Sequence, residues 1–567
     1  MTVVVLAFEG IDGPILERFA DDAPTIDSVR SRAITAPLEA AVPQAPVASW
    51  TSLFTGTDPS YHGIVDERLW SGYPGDEERS VSAVDVRRPT LWDYLSAGGG
   101  RTVACGLPMT DPPGPLEGAL VPGRATAERS QGRHDAGTSQ PAEQPSVDRD
   151  HPTGRLPVGD PWTLPALDEQ ADVPELLERR RRVAVDLLTE EDWDLALVHV
   201  PVTTPRLLEK ANAHRSEATF ERTMRPTIAA ADGLVAAVLE AIPPGATVVG
   251  CSPRGCRPQT GYRLHLNDLL TEAGLLAPRE NHQSTTPGEA FDRPRTPADP
   301  DDAPGSGAHS ITPLSSRAQS VGAIVWGGLR RLVAAVSGWL ECHSRPRPDG
   351  ADAGRAGVGQ YDLPNAVAFC ASPTDGGLWL NRAGREPAGR VVNSQVASLS
   401  AAIVERLREI TDPEGDPVFE FVCKRRHLYD GPFDRFLPDV IYSTAGTATA
   451  ISSGPCPSRG PPFTRVTGVR SSPIGTLFAA GPAIDTDAGT PDRPVTVADV
   501  GPLVMAALGR PVPALMTGRD PTAQLRVPVT RRTYQGVAHG TTVDDPTYDD
   551  GDLEAHLEGF EYRHGNS

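Results

Sequence analysis

The sequence predicts an α/β fold: a mostly parallel central sheet with helices on both faces, interrupted by insertions. Three observations predict it. Short continuous apolar runs of strand type recur at Thr2–Phe8, Asp194–Val200 and Ala246–Cys251. Amphipathic segments of helical period lie between them, at Val173–Leu188 and Ala218–Ala241. The two kinds alternate, and alternation implies crossover connections and parallel pairing. Ligands in such sheets bind beyond the carboxyl ends of the strands. Residues just after each run are therefore where chemistry is sought.

Taken in order, MTVVVLAFEG has no basic leader and no cleavage site, so it reads as a buried strand and not as a signal peptide. Apolar residues of helical period follow from Ile26 to Ile34. Arg101–Cys105 is a further strand candidate. Residues 1–277 form the first part of the core. Within them Arg124–Pro165 is rich in Ser, Gln, Pro, Asp and Gly and reads as a flexible surface insertion. Residues 278–360 form a second, low-complexity insertion with one helix near 320–341. That helix carries Arg330 and Arg331, so it is expected to pack on protein and not to span a membrane. Residues 361–540 complete the core, and 541–567 form an acidic C-terminal tail or docking helix.

Composition narrows the function. The formal net charge is -21, from 74 acidic and 53 basic residues. Only Lys210 and Lys424 are lysines; the other basic residues are arginines. Such a Lys-poor, acidic balance is that of a salt-in halophile, and it argues against nucleic-acid binding. The seven cysteines are scattered without a CxxC, which argues against a zinc finger or disulfide framework. A cytoplasmic protein is expected.

The segment Pro43–Ile64 reads PQAPVASWTSLFTGTDPSYHGI. Its frame, Trp50-Thr51-Ser52-Leu53-Phe54-Thr55-Gly56 followed by Pro59 and His62-Gly63-Ile64, resembles the nucleophile segment of the type I phosphodiesterase/nucleotide pyrophosphatase group of the alkaline phosphatase superfamily. Further matches follow in order: Pro108–Pro113, Leu264–Leu276, Gly384–Gly389, Pro438-Asp439, and Thr496–Val500 through Gly518-Arg519. The resemblance implies an alkaline-phosphatase-like core and, in active members, two divalent metals (zinc or manganese) that activate a threonine nucleophile.

Read segment by segment against the family's motifs, with the nucleophile registered on the Trp50–Gly56 frame, the implied functional positions are altered. The nucleophile falls on Pro46, which has no side-chain oxygen. The first ligand aspartate is replaced by Glu9, with Asp12 nearby; both remain weak metal candidates, the alternative being a loop carboxylate or helix cap. The next Asp and His positions fall on Thr204 and Leu208. His199 and His214 lie near them in sequence, but His199 belongs to a strand and reads as a packed histidine. The Asp-His pair after the third strand becomes Pro253 and Arg254. The last histidine falls on Ser471, or on Arg470 with a one-residue shift. Arginine offers no lone pair to a metal, but its planar fork suits an anion. Ser49, Thr51, Ser52 and His62 supply hydroxyls and an imidazole near Pro46, although Thr51, Ser52 and His62 are ordinary parts of the frame.

The expectation is a non-hydrolytic member of the superfamily, with no cofactor. It would bind a phosphate- or sulfate-bearing small molecule through Arg254 and Arg470, or a protein partner. The alternative is an active phosphodiesterase, phosphatase or sulfatase-like hydrolase with a rebuilt site. The two arginines could also pair with local carboxylates such as Glu9 and merely fill the cavity.

Overall fold

The computed structural model describes residues 1–70, 72–74, 79–123, 172–203, 207, 217–279, 360–371, 376–444, 449–456, 462–491 and 493–537. The first elements are β1 (Val3–Glu9), α1 (Gly13–Arg18), α2 (Pro24–Arg30), β2 (Ile34–Glu39), α3 (Pro46–Thr55) and α4 (Pro59–His62). The short hairpin β3 (Arg68–Leu69) and β4 (Arg79–Ser80) leads to α5 (Leu91–Ala97), β5 (Thr102–Cys105) and β6 (Gly118–Val121). Then come α6 (Val173–Glu190), β7 (Leu195–Pro201), the helix Glu217–Ala241, β8 (Thr247–Ser252) and β9 (Gly255–His265). The later strands are β10 (Ala368–Phe369), β11 (Gly377–Leu380), β12 (Phe419–Lys424), β13 (Val440–Thr444), β14 (Thr449–Ser452), β15 (Phe463–Ser472), β16 (Ile474–Ala480) and β17 (Val495–Thr496).

The main sheet has eight strands in the order β17-β2-β16-β8-β1-β7-β5-β6. Only β16 runs against the rest. This is the α/β architecture that the alternating pattern predicts. β1 shows why helices cover both faces. Val3, Val5 and Ala7 point into one apolar layer with α3, α5 and the helix Val500–Ala507. Val4, Leu6 and Phe8 point into the other, with α1, α2, α6 and the helix Glu217–Ala241. A strand buried on both sides has no polar face, so its sequence reads as an unbroken apolar run.

The Ile26–Ile34 expectation is corrected. The helix stops at Arg30, and Ile34 opens β2, whose Ile34, Ala36 and Leu38 are the buried alternate residues. The apolar stretch spans two elements that share a core, and periodicity over so short a window does not separate them. The 124–165 insertion, the helix near 320–341 and the 541–567 tail lie outside the described residues.

A smaller antiparallel sheet, β10-β11-β13-β12, and a three-stranded ribbon, β14-β9-β15, lie beside the main sheet. Asn267 joins them. It is fully buried, donates to the carbonyls of Cys370 (2.9 Å) and Ser453 (2.7 Å), and accepts from the Cys370 amide (2.8 Å). Asn267→Ala would orphan those buried groups. It is expected to cost about 2–4 kcal/mol, because unmet buried polar groups cost about 1–3 kcal/mol each. The check is a fall in the urea midpoint at constant m value.

Candidate functional site

β7 and β8 flank β1 in parallel, with Ala7 opposite both His199 and Cys251. The three strands therefore end together. Glu9 closes β1, Thr203 follows β7, and Arg254 follows β8. Backbone bonds hold the three ends: the Glu9 carbonyl accepts from the amides of Val202 and Thr203, both at 3.1 Å. The Ile11 amide donates to Ser252 Oγ at 3.3 Å, and Ser252 Oγ donates to the Arg254 carbonyl at 2.8 Å. Gly10 turns the chain at φ +85°, and a Cβ there would lie 1.9 Å from Thr203 Oγ1. No other residue fits that crossing.

The N-terminus of α3 arrives at the same edge. Pro46 is its first residue, where the fixed φ of proline suits a helix start and a missing N–H removes nothing. Gly56 ends it in the left-handed conformation at φ +63°. The hydroxyls near Pro46 are engaged in the frame. Thr51 Oγ1 donates to the Val47 carbonyl at 2.7 Å, and Ser49 Oγ accepts from the Ala41 amide at 3.1 Å. Ser52 Oγ lies 2.8 Å from His62 Nε2. Because His62 Nδ1 accepts from the Ile64 amide (3.1 Å), Nε2 carries the proton and donates to Ser52. Burial pushes His62 down to about 3, with Arg88 adding to the shift. His62 is thus a neutral structural clasp between α3 and α4.

Glu9 is held from behind. Trp50 Nε1 donates to its Oε2 at 3.1 Å, and His199 Nε2 stands 3.6 Å from the same oxygen. His199 is fully buried in β7, and its Nδ1 accepts from Arg180 at 2.9 Å. Arg180, itself buried, also donates to the Gly106 carbonyl at 3.0 Å. That donation fixes the tautomer: the His199 proton sits on Nε2 and points at Glu9. Burial lowers His199 to about 4, with the charge of Arg180 adding to the shift and Glu9 opposing it. Burial alone would raise the Glu9 carboxyl. The approach of His199, the charge of Arg254 and the Trp50 bond outweigh it and hold Glu9 below the ordinary carboxylate value.

Arg254 is half-buried, within the field of Glu9 and of Glu67, which lies on the loop before β3. Arg470 lies on β15 opposite Arg257. Burial lowers it to about 10, and the nearby charges of Arg254 and Arg263 lower it further. Ser471 Oγ donates to the Gly255 carbonyl at 3.4 Å. Pro253 is buried. Asp12 uses both oxygens: Oδ1 caps α1 by accepting from the Ile15 amide (3.0 Å), and Oδ2 pairs with Arg257 Nε (2.8 Å). Thr204 and Leu208 lie outside the described residues.

Two metal ions do not fit this constellation. Among the described residues, no three His, Cys, Asp or Glu side chains converge as a metal-holding group. Arg254 lies within the field of Glu9, and a fixed positive charge there repels a dication. Sequence reasoning missed the Arg180–His199–Glu9 connection. A signal existed: position 180 falls on the buried stripe of α6, with Leu176, Leu177, Val183, Ala184 and Leu187. Glu67 had no such signal.

A family model described as type I phosphodiesterase / nucleotide pyrophosphatase matches residues 3–305. The chain belongs to that family. Its mostly parallel sheet with helices on both faces is the architecture that the resemblance implied. Solved structures similar to this family member include murine ectonucleotide pyrophosphatase / phosphodiesterase 5, at 10% identity and TM-score 0.46, covering 90% of this chain and 96% of that one. The human protein of the same name matches at 10% identity and TM-score 0.46, over 95% and 100% of the two chains. Phosphonoacetate hydrolase from Sinorhizobium meliloti 1021, in complex with phosphonoformate, matches at 13% identity and TM-score 0.47, over 90% and 96%. No curated protein matches the chain significantly. Among the described residues, no helix is long and apolar enough to cross a membrane.

The clasp His62 sets a pH dependence. Its folded value near 3 lies below the ordinary 6.5, so below pH 6.5 the unfolded chain binds a proton that the folded chain refuses. Stability is expected to be level in this respect above pH 6.5 and to fall as pH drops toward 3, by up to about 1.4 kcal/mol per pH unit. Urea midpoints at several pH values check it; His199, lowered to about 4, adds a slope of the same sign, so His62→Asn should remove about half of the dependence between pH 6 and 4.

Proposed function

We propose that this chain is a non-hydrolytic member of its family, which binds an oxyanion in the cleft where active members hold metals. The observation that carries the reading is Arg254. Its guanidinium stands at the end of β8, within the field of Glu9 and close enough to Arg470 to lower that residue's pKa. Two arginines in one cleft supply the positive charge and directed donors that metals would otherwise bring to a phosphate or sulfate group. Pro46 supports the same reading, since it leaves the start of α3 without a nucleophile. The ligand would be a phosphate- or sulfate-bearing small molecule, and a protein partner could present the same group. A cytoplasmic setting agrees with the six described cysteines, which are all free. The acidic, Lys-poor composition suits high salt.

Elemental analysis of protein purified without chelators in high salt tests the first half. Well under one zinc or manganese per chain is the expected result; about two per chain would overturn it in favour of a rebuilt hydrolase. Binding of inorganic phosphate, read as a rise in melting temperature, tests the second. Arg254→Ala should weaken phosphate at least about tenfold, the scale of one lost charge-assisted contact. Equal binding by the variant and the parent would refute the anion site.

A further inference from the structure

The four-stranded sheet carries a cavity of about 300 Å³ beside its edge strand. It lies where the helix Asn393–Arg408 packs along β12. The helix contributes Ala401, Val404, Glu405 and Arg408, whose spacing of three and four residues puts them on one side of it. Cys423 and Lys424 come from β12, and His427 from the turn after it. A space of that size holds roughly ten water molecules at ~30 Å³ each, and small-ligand sites begin at about this volume.

Two cations are fixed here without being neutralised. Arg408 donates from Nε (3.0 Å) and Nη2 (2.7 Å) to the Val422 carbonyl, and Lys424 Nζ donates to the Ala397 carbonyl at 3.0 Å. Those bonds hold each head group in place and leave further donors on both. Neighbouring arginines behave differently: Arg406 pairs with Glu409 at 2.9 Å, and Arg425 with Asp434 at 3.4 Å. Among the described residues, Arg408 and Lys424 close no such pair. Carboxylates are not scarce in a chain with 74 acidic against 53 basic residues, so the two unanswered charges call for another counterpart.

Much of the remaining lining is apolar. Val404 is buried, and Ala401 offers only a methyl group. Burial raises the Cys423 thiol, with the charge of Arg408 opposing the shift, so Cys423 stays a neutral thiol at ordinary pH. Glu405 is the one carboxylate in the lining, and it is exposed; the fixed cations outnumber it two to one before His427 is counted. Apolar walls with a few placed charges suit a ligand that has an apolar body and a head of opposite sign. We propose that this cavity binds a small organic anion of about eight to ten non-hydrogen atoms, its head held by the charges of Arg408 and Lys424 and its apolar body set against Ala401, Val404 and Cys423. The proposal does not rest on the strand-end reading, because no residue of the lining belongs to the main sheet.

Cys423 makes the cavity its own reporter. The test is the rate at which iodoacetamide alkylates Cys423 in the full chain, read by mass spectrometry, with hexanoate, acetate or hexanol present. Cys456, the other partly exposed cysteine among the described residues, is the internal control. Hexanoate is expected to protect Cys423 and to leave Cys456 unchanged. Its half-protecting concentration should lie at least about tenfold below that of acetate, which lacks the body, and at least about fivefold below that of hexanol, which lacks the charge. Lys424→Gln should raise that concentration about threefold, the scale of one partly exposed charge pair. Glu405→Gln should lower it about twofold, a gain that a damaged fold cannot imitate, and it carries the variant arm should Lys424→Gln fail to fold. Protection by hexanol equal to that by hexanoate overturns the anionic head, and protection by acetate equal to it overturns the apolar body. Absent protection, equal slowing at Cys456, a Cys423 that does not alkylate in the free chain, or a Glu405→Gln variant that gains nothing overturns the site.

Discussion

The parallel register of β1 with β7 and β8 is the constraint on which the rest of this molecule depends. Because Ala7 sits opposite His199 on one side and Cys251 on the other, three strand ends are delivered to one edge. The loops that follow must then cross at close quarters. Gly10 allows that crossing, and Ser252 stitches the β1 and β8 loops together. The core aromatic Trp50 binds α3 into the same edge. It stacks on Phe54, presents its face or edge to His199 at 5.4 Å between centroids, and donates to Glu9. One side chain thus belongs to the core and to the cleft at once.

Electrostatics behind the cleft follow from burial. Arg180 is 1% exposed and has no carboxylate in direct contact among the described residues; it donates instead to a carbonyl and an imidazole. Its charge is answered one step further on, by Glu9 across the His199 ring. A buried cation balanced through a neutral imidazole keeps the carboxylate ionised and fixes which imidazole nitrogen faces it. The positive charge on the solvent side of Glu9 comes from Arg254. Cations on both sides are therefore covalently part of the chain. On the proposed reading this differs from a metal centre, in which neutralising charge arrives from solution and leaves with a chelator.

The legible parts of the fold were those with long local signals. β1, β7, β8 and the two long helices follow from apolar runs and helical stripes, which burial on both sheet faces imposes. The four-stranded sheet was not legible, because its strands are two to six residues long and its pairings join distant segments. At the site, the frame from Trp50 to Gly56 set the register of Pro46, while Glu9 and Arg254 were read from the residues that close their own strands. The groups behind Glu9 were harder to see. Arg180 lies in a run of four arginines that reads as a solvated face, and only the inward stripe of α6 distinguishes it. Glu67 sits on an exposed loop, and only the folded chain brings its charge into the field of Arg254.

On the proposed reading, the family scaffold and the family chemistry separate in this chain along the division of labour among residues. Gly10, Trp50, Ser52, His62 and Gly56 are retained where they carry packing and hydrogen bonds of the fold; losing any of them strains the strand ends or the α3–α4 clasp. Pro46 opens α3 and Arg254 follows β8, at the strand-end edge where the proposed ligand would bind. On that reading, Arg254 and its neighbouring carboxylates depend on one another. Returning a neutral side chain to position 254 alone would leave Glu9 and Glu67 without their nearest shared cation, and a metal could not replace it until further donors were also restored. On the proposed reading, each single step back is unfavourable on its own, and the arrangement is held by the coupling of its charges and not by any one residue.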